Sequence, residues 1–273
     1  MKLKPQLWIV ATLVLSVTGL AQTRDTRILN LSHDSTVRVV SVAGNSAGSG
    51  FFVGNRLILT CLHVVVAIQQ VGTGVNLVPF KDIHVILPSG EDIPAHIASL
   101  PTQSDPAPAN DDFAFLQLDR SPSGLFTKIE LAGDKEKFKL GDEVAFSGYP
   151  LSTPGMVTHR GMISGSNDSR GLIFIEAPVN KGNSGGALLN QEGHVIGIVS
   201  MREGGISEGL ANVRSQIRQS AQHGQVTIMG VNPLSTTEAL IDTLDEYINT
   251  GIGYARSIKF ARSYLLQHPE LTK

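Results

Sequence analysis

The strongest constraint on this chain is its punctuation. Short β-branched or apolar runs follow one another, each closed within a few residues by glycine, proline or asparagine. Thr36–Val42 (TVRVVSV) is one such run, and Gly48-Ser49-Gly50 leads into Phe51-Phe52-Val53. Gly54-Asn55 then turns the chain into Arg56–Thr60, which predicts a hairpin. Asp82–Leu87 and Ile93–Ile97 are further strands, divided by Pro88-Ser89-Gly90. Pro101–Asn110 is a proline-rich polar loop, and Phe113–Leu118 reads as the next strand. After a looser charged stretch, Asp119–Leu140, a second set follows: Glu143–Ser147, Met156–Ser164, Leu172–Glu176, Gly186–Leu189 and His194–Ser200. Strands this short and this evenly spaced suggest an all-β barrel or sandwich. The glycine count agrees, at 28 in 273 residues, above the usual ~7%.

The last third is different. Ser215–Gln222 predicts a short helix and Val226–Met229 a strand. Ser235-Thr236-Thr237-Glu238 reads as a capping box, with Ser235 as N-cap and Glu238 reaching back, opening a helix to about Asn249. Its stripe Leu240/Leu244/Ile248 is expected to pack on the neighbouring β-structure. Arg256–His268 predicts a final helix with Ile258, Ala261 and Leu265 on one face and Pro269 beyond its end.

At the start, Lys2 and Lys4 precede an apolar run, Leu7–Leu20, and a small-residue site at Ala21. This predicts an export signal cleaved after Ala21, hence a periplasmic or secreted protein. The run is shorter than the ~20 residues of a membrane helix, so no stable span is expected after cleavage. Losing both lysines moves the net charge from -2 to -4. That balance argues against a nucleic-acid partner held through phosphates. A single cysteine, Cys61, forbids an internal disulfide. An exported chain without disulfides must be held by its packing. The histidines show no paired ligand spacing, so neither a metal nor a cofactor is implied.

Three segments carry chemistry. His63 lies just past an apolar strand in Leu59-Thr60-Cys61-Leu62-His63, Asp112 opens the strand Phe113-Ala114-Phe115, and Ser184 sits in Gly182-Asn183-Ser184-Gly185-Gly186. A serine hydroxyl becomes a nucleophile when a neighbouring base takes its proton. Histidine suits that task because its ordinary pKa of about 6.5 lies near working pH. A buried carboxylate on the far ring nitrogen fixes the tautomer and stabilises the imidazolium. Asp111 is the rival acid, but the alternation of the strand favours Asp112.

These segments, GSGFFV…LILTCLHVV, APVNKGNSGGALLN and GHVIGIVSM, resemble the chymotrypsin-like serine peptidases, and among them the HtrA/Deg protease domain without its PDZ modules. GIGYARSI (Gly251–Ile258) resembles the family's last strand, and the resemblance runs from about Thr36 to Leu266. It implies two antiparallel β-barrels with a cleft between them. Residues 1–21 would be the signal, 22–120 the first barrel, 121–140 the linker and 141–273 the second barrel, with an insertion at 203–250 and a C-terminal helix at 256–268. It implies His63 as base, Asp112 as its orienter, Ser184 as nucleophile, and Gly182 with Ser184 as the oxyanion hole. Ser200, Met201 and Arg202 would pair with the backbone of a polypeptide substrate. Pro178, six residues before the serine, and Ile252 would shape the specificity pocket. With no acid at Pro178, cleavage after small aliphatic residues is expected rather than after Lys or Arg. Asn183 stands where trypsin-like zymogens carry an aspartate, so activation by a freshly cut N-terminus is not expected.

Two alternatives stay open. A peptide-binding module without catalysis would use the same fold. Gly182-x-Ser184-x-Gly186 also fits the nucleophile elbow of α/β-hydrolase esterases, with Asp242 or Asp245 and then His268 completing it. That elbow needs a helix directly after the serine, whereas Gly185–Leu189 reads as strand.

Overall fold

The computed structural model describes residues 26–71, 74–100, 112–151, 153–202, 208–221, 227–247 and 251–272. The expected export signal, the loop Pro101–Asn110 and Asp111 lie outside the described residues.

The short strands close into two antiparallel barrels of six, as expected from the sequence. The first contains β1 (Thr36–Ser41), β2 (Ser46–Phe52), β3 (Leu57–Thr60), β6 (Ile83–Ile86), β7 (Asp92–Ser99) and β8 (Ala114–Leu118). The second contains β9 (Glu143–Gly148), β10 (Val157–Asn167), β11 (Leu172–Glu176), β12 (Ala187–Leu189), β13 (Val195–Arg202) and β14 (Ile252–Ser257). In β1 the period of two sends Val37 and Val39 inward, fully buried, and Arg38 outward. Each barrel is filled by such residues, Phe51, Leu59, Ile93 and Phe115 in the first and Phe146, Ile163, Ile175 and Ile198 in the second.

Two elements escaped the sequence reading. Residues 26–35 form a helix, α1, ahead of the first barrel. Val66–Val71 (β4) and Gly74–Pro79 (β5) form a separate two-stranded ribbon. Between β3 and β4 lies a single helical turn, α2 (Leu62–Val65).

The 203–250 segment is a helical hairpin in its described parts, α3 (Glu208–Ala221) and α4 (Pro233–Tyr247). Its N-cap is Asn232 rather than Ser235. The N–H groups of Leu234 and Ser235 donate to Asn232 Oδ1 at 3.0 and 3.3 Å. Pro233 occupies the first helical position, where its missing N–H costs nothing. Glu238 pairs with Arg218 at 2.6 Å. The stripe is also corrected: Leu240 and Leu244 are exposed, and the buried side chains are Ile241 and, across the hairpin, Ile217. Ile248 lies outside the described residues. Of the expected strand Val226–Met229, Val226 is likewise outside, and Ile228 makes only an isolated bridge to Val231.

The final helix, α5 (Lys259–Gln267), starts later than Arg256 because the pairing of β14 with β11 and β13 holds Arg256 and Ser257 in the sheet. The helices at the two ends cross between the barrels. From α1, the Ser32 hydroxyl meets Ser147 of β9 at 2.8 Å. From α5, Tyr264 packs on Phe113 and Phe115 of the first barrel, with ring centroids 5.8 and 6.0 Å away.

Candidate active site

Sheet register brings the first two candidates together. β3 pairs with β8 so that Leu59 faces Phe115 and Thr60 faces Ala114. Continuing that register sets Asp112, just before β8, beside the helical turn just after β3. In that turn Leu62, Val64 and Val65 are buried, while the His63 side chain is 39% exposed. The His63 ring Nδ1 lies 3.0 Å from both carboxylate oxygens of Asp112. The His63 backbone N–H donates to Asp112 Oδ1 at 3.2 Å. Ser200 of β13, from the other barrel, donates its hydroxyl to Asp112 Oδ2 at 2.5 Å.

These contacts set the charges. Burial works to raise the Asp112 carboxyl, but hydrogen bonds from His63 and Ser200 and the His63 charge hold it down at about 2. Burial works to lower the His63 imidazole. Asp112 outweighs it, so the pKa ends above the ordinary value of 6.5. Arg256, buried on β14, pulls the other way, and its Nε has no partner among the described residues.

Ser184 lies in the loop between β11 and β12. Gly182 and Gly185 have φ of +97° and +94°, where a side chain is strained. A Cβ at Gly182 would also sit 2.1 Å from Tyr149 O, and one at Gly185 1.9 Å from Ser49 O. Ser49 of β2 ties this loop to the first barrel. Its N–H donates to Ser184 O at 2.7 Å, and its hydroxyl donates to Gly182 O at 2.7 Å and accepts from Tyr149 N–H at 3.0 Å. The N–H groups of Gly182 and Ser184 donate to no acceptor among the described residues. Asn183 is fully buried with its amide unpartnered among those residues. A neutral amide tolerates that better than a carboxylate would.

Ser184 and His63 come from opposite barrels and no hydrogen bond joins their side chains. The Ser184 hydroxyl donates instead to Ser200 O at 2.8 Å.

Cys61 is fully buried, and its thiol donates to Val199 O at 3.3 Å. Burial, reinforced by the Asp112 charge, pushes its pKa up. Cys61, His63 and Asp112 offer ligand atoms within 4.8 Å of one another. The thiol is held protonated, however, and the imidazole and carboxylate already satisfy each other.

The expected pocket residues Pro178 and Ile252 lie on adjoining chain segments, where Ala177 N–H donates to Gly251 O at 2.9 Å. Pro178 is exposed, and it is the next side chain, Val179, that is buried. A Cβ at Gly253 would meet Val179 Cγ2 at 2.2 Å. Ile252 pairs with Glu176 in the sheet and is partly buried. Met201 and Arg202 extend β13 past Ser200 and pair with Tyr254 and Gly253.

Two closed barrels, with an imidazole–carboxylate pair on one and a serine in a glycine loop on the other, make up the chymotrypsin-like architecture. The chain belongs to the trypsin-like peptidase domain family, whose model matches residues 48–198, over half its length. It is 37% identical over 123 residues to a probable periplasmic serine protease, do/HhoA-like, of Haemophilus influenzae, covering 42% of this chain and 24% of that one. It is 32% identical over 174 residues to the periplasmic pH-dependent serine endoprotease DegQ of Escherichia coli, covering 60% and 33%. Among solved structures, the Rv3671c protease of M. tuberculosis in an inactive form is similar in fold, with a TM-score of 0.55 at 17% identity over 89% of this chain and 93% of that one. The chain thus spans a quarter to a third of the length of these curated relatives.

Proposed function

We propose that this chain is an exported serine endopeptidase working through an acyl-enzyme, with His63, Asp112 and Ser184 as its triad. The observation that carries the reading is the His63–Asp112 pair at 3.0 Å, opposite a serine loop whose Gly182 and Ser184 N–H groups meet no acceptor among the described residues. Ser184 Oγ turns from Ser200 O to the outer nitrogen of His63, which takes its proton as the oxygen bonds to the peptide carbonyl carbon. The oxyanion so formed is met by these two N–H groups, where losing one donor costs about 3 kcal/mol of barrier. His63 then returns the proton to the leaving amine as the C–N bond breaks. Water, deprotonated by His63, releases the acyl group.

The names of the relatives support export, as does the expected signal at 1–21. Specificity for small aliphatic residues is supported by the buried Val179 beside Gly253 and by the absence of an acid at Pro178. A peptide-library profile led by Lys, Arg or Phe before the cut bond would overturn it. The 203–250 insertion follows the segment expected to pair with substrate and is proposed to shape the cleft. Unchanged specificity on deleting it refutes that.

One observation favours a second reading, a latent form: the Ser184 hydroxyl is committed to Ser200 O. Fluorophosphonate labelling and casein hydrolysis test both. Labelling of the wild type but not of Ser184→Ala supports the peptidase. No labelling of folded protein with or without peptide refutes it, and labelling only with peptide identifies latency.

A further inference from the structure

A cleft of about 380 Å³ opens where the outer face of β1 meets the chain after β9. Leu87, Leu151 and Met156 make much of its lining apolar, and no carboxylate among the described residues lines it. Arg38 projects into this wall because the alternation of β1 turns it away from the barrel interior. Its Nε is shut off from solvent and has no partner among the described residues. Among the described residues the guanidinium donates no hydrogen bond and forms no ion pair. Tyr149 lines the same cleft, partly buried, and its phenol makes no hydrogen bond there either. Burial pushes the Tyr149 phenol up and the Arg38 charge opposes that, which places both heads in one field. The other basic side chain on the cleft, His33, is turned to Asp34 at 3.0 Å.

A shielded Nε without an acceptor is costly, and the guanidinium's fork of N–H donors fits a carboxylate in bidentate fashion. We propose that this cleft binds an organic carboxylate with an apolar body, its head on Arg38 and Tyr149 and its tail on the Leu87, Leu151 and Met156 wall. One guanidinium neutralises one negative charge, and apolar walls disfavour a strongly hydrated dianion. The carboxylate could be that of a free aliphatic acid or of a peptide ending in an aliphatic residue.

The cleft is wired to the nucleophile loop. Arg38 faces Ser49 in the β1–β2 register. Ser49 in turn bonds Tyr149 N–H and Gly182 O, and Leu151 N–H donates to Lys181 O at 2.9 Å. A ligand that steadies residues 149–151 therefore steadies Gly182 and speeds acylation of Ser184. This coupling rests on the peptidase reading, whereas the binding does not.

Calorimetric titration of the full chain with hexanoate, with N-acetyl-leucyl-leucine, and with the neutral amide of each tests the binding. At least one carboxylate is expected to bind saturably, its amide not detectably, and Arg38→Gln at least about ten-fold more weakly. Preference for hexanoate assigns a free acid, and preference for the dipeptide a peptide terminus. Equal binding of acid and amide, or no saturable binding of either acid, overturns the site. So does undiminished binding by folded Arg38→Gln, and the amide comparison decides alone if that variant does not fold. Fluorophosphonate labelling of Ser184 is expected to quicken at saturating carboxylate. An unchanged rate overturns the coupling, and a protein that never labels refutes the peptidase reading while the binding result stands.

Discussion

His63 holds its proton more tightly than a free imidazole, because Asp112 outweighs the cost of burial. In its proposed role of general base it must be neutral, so a raised pKa moves the acid limb of kcat/KM upward. The limb is expected above pH 6.5, and Asp112, at about 2, adds nothing to it there. A pH–rate profile with its acid limb at or below 6.5 contradicts this. Gly182→Ala is a second residue-scale test. The new Cβ meets Tyr149 O at a positive φ, so the loop must shift and the N–H at 182 moves with it. A roughly hundred-fold or greater fall in labelling rate is expected, the size of losing an oxyanion donor. At this scale the sequence was informative where chemistry demands rare neighbours, such as an acid before Phe113 or a serine among glycines. It was silent on Ser49 and the Ser200 hydroxyl. A serine in a strand is ordinary, and these two matter only because the barrels dock with Ser49 against Gly182 and Ser200 against Asp112.

Strands were legible because alternation and turn residues are local signals, and β1, β3, β6, β8 and β9 begin or end within a residue or two of expectation. Where the signal is weak the reading missed. Val66–Val71 shows no clean alternation, and its partner is another part of the same ribbon. The α4 stripe went wrong because periodicity reports a face and not its destination: the face buried is the one centred on Ile241, toward α3. Ion pairs Arg214–Asp242 and Arg218–Glu238 flank that contact but are exposed and contribute little. Ile217 and Ile241 are both absent from the barrel core, so the hairpin depends on its own small apolar centre. Ile241→Ala is expected to cost about 2–5 kcal/mol locally. Hydrogen exchange checks this: amides in α3 and α4 should lose protection while those of β1–β3 keep theirs. Equal loss in both places would show that the hairpin and barrels form one cooperative unit.

At the scale of the molecule, the barrels share an interface that includes the candidate site, since the Ser49, Ser200 and Cys61 contacts all run between them. Their two-barrel plan could be inferred from strand spacing and motif resemblance, but the crossing of the end helices could not. α1 carries few sequence signals, and its Ser32 contact with Ser147 spans 115 residues of chain. A barrel interface reinforced at both ends should melt in one calorimetric transition, and two separated transitions would contradict that.

The crossing has a further consequence. The helix preceding the first barrel grips the second, and the helix following the second grips the first, so the covalent connection through residues 119–142 is not the sole tie between the halves. Cut there, the protein should behave as a split protein: two polypeptides that stay one particle on a sizing column, each clasped by the other's tail.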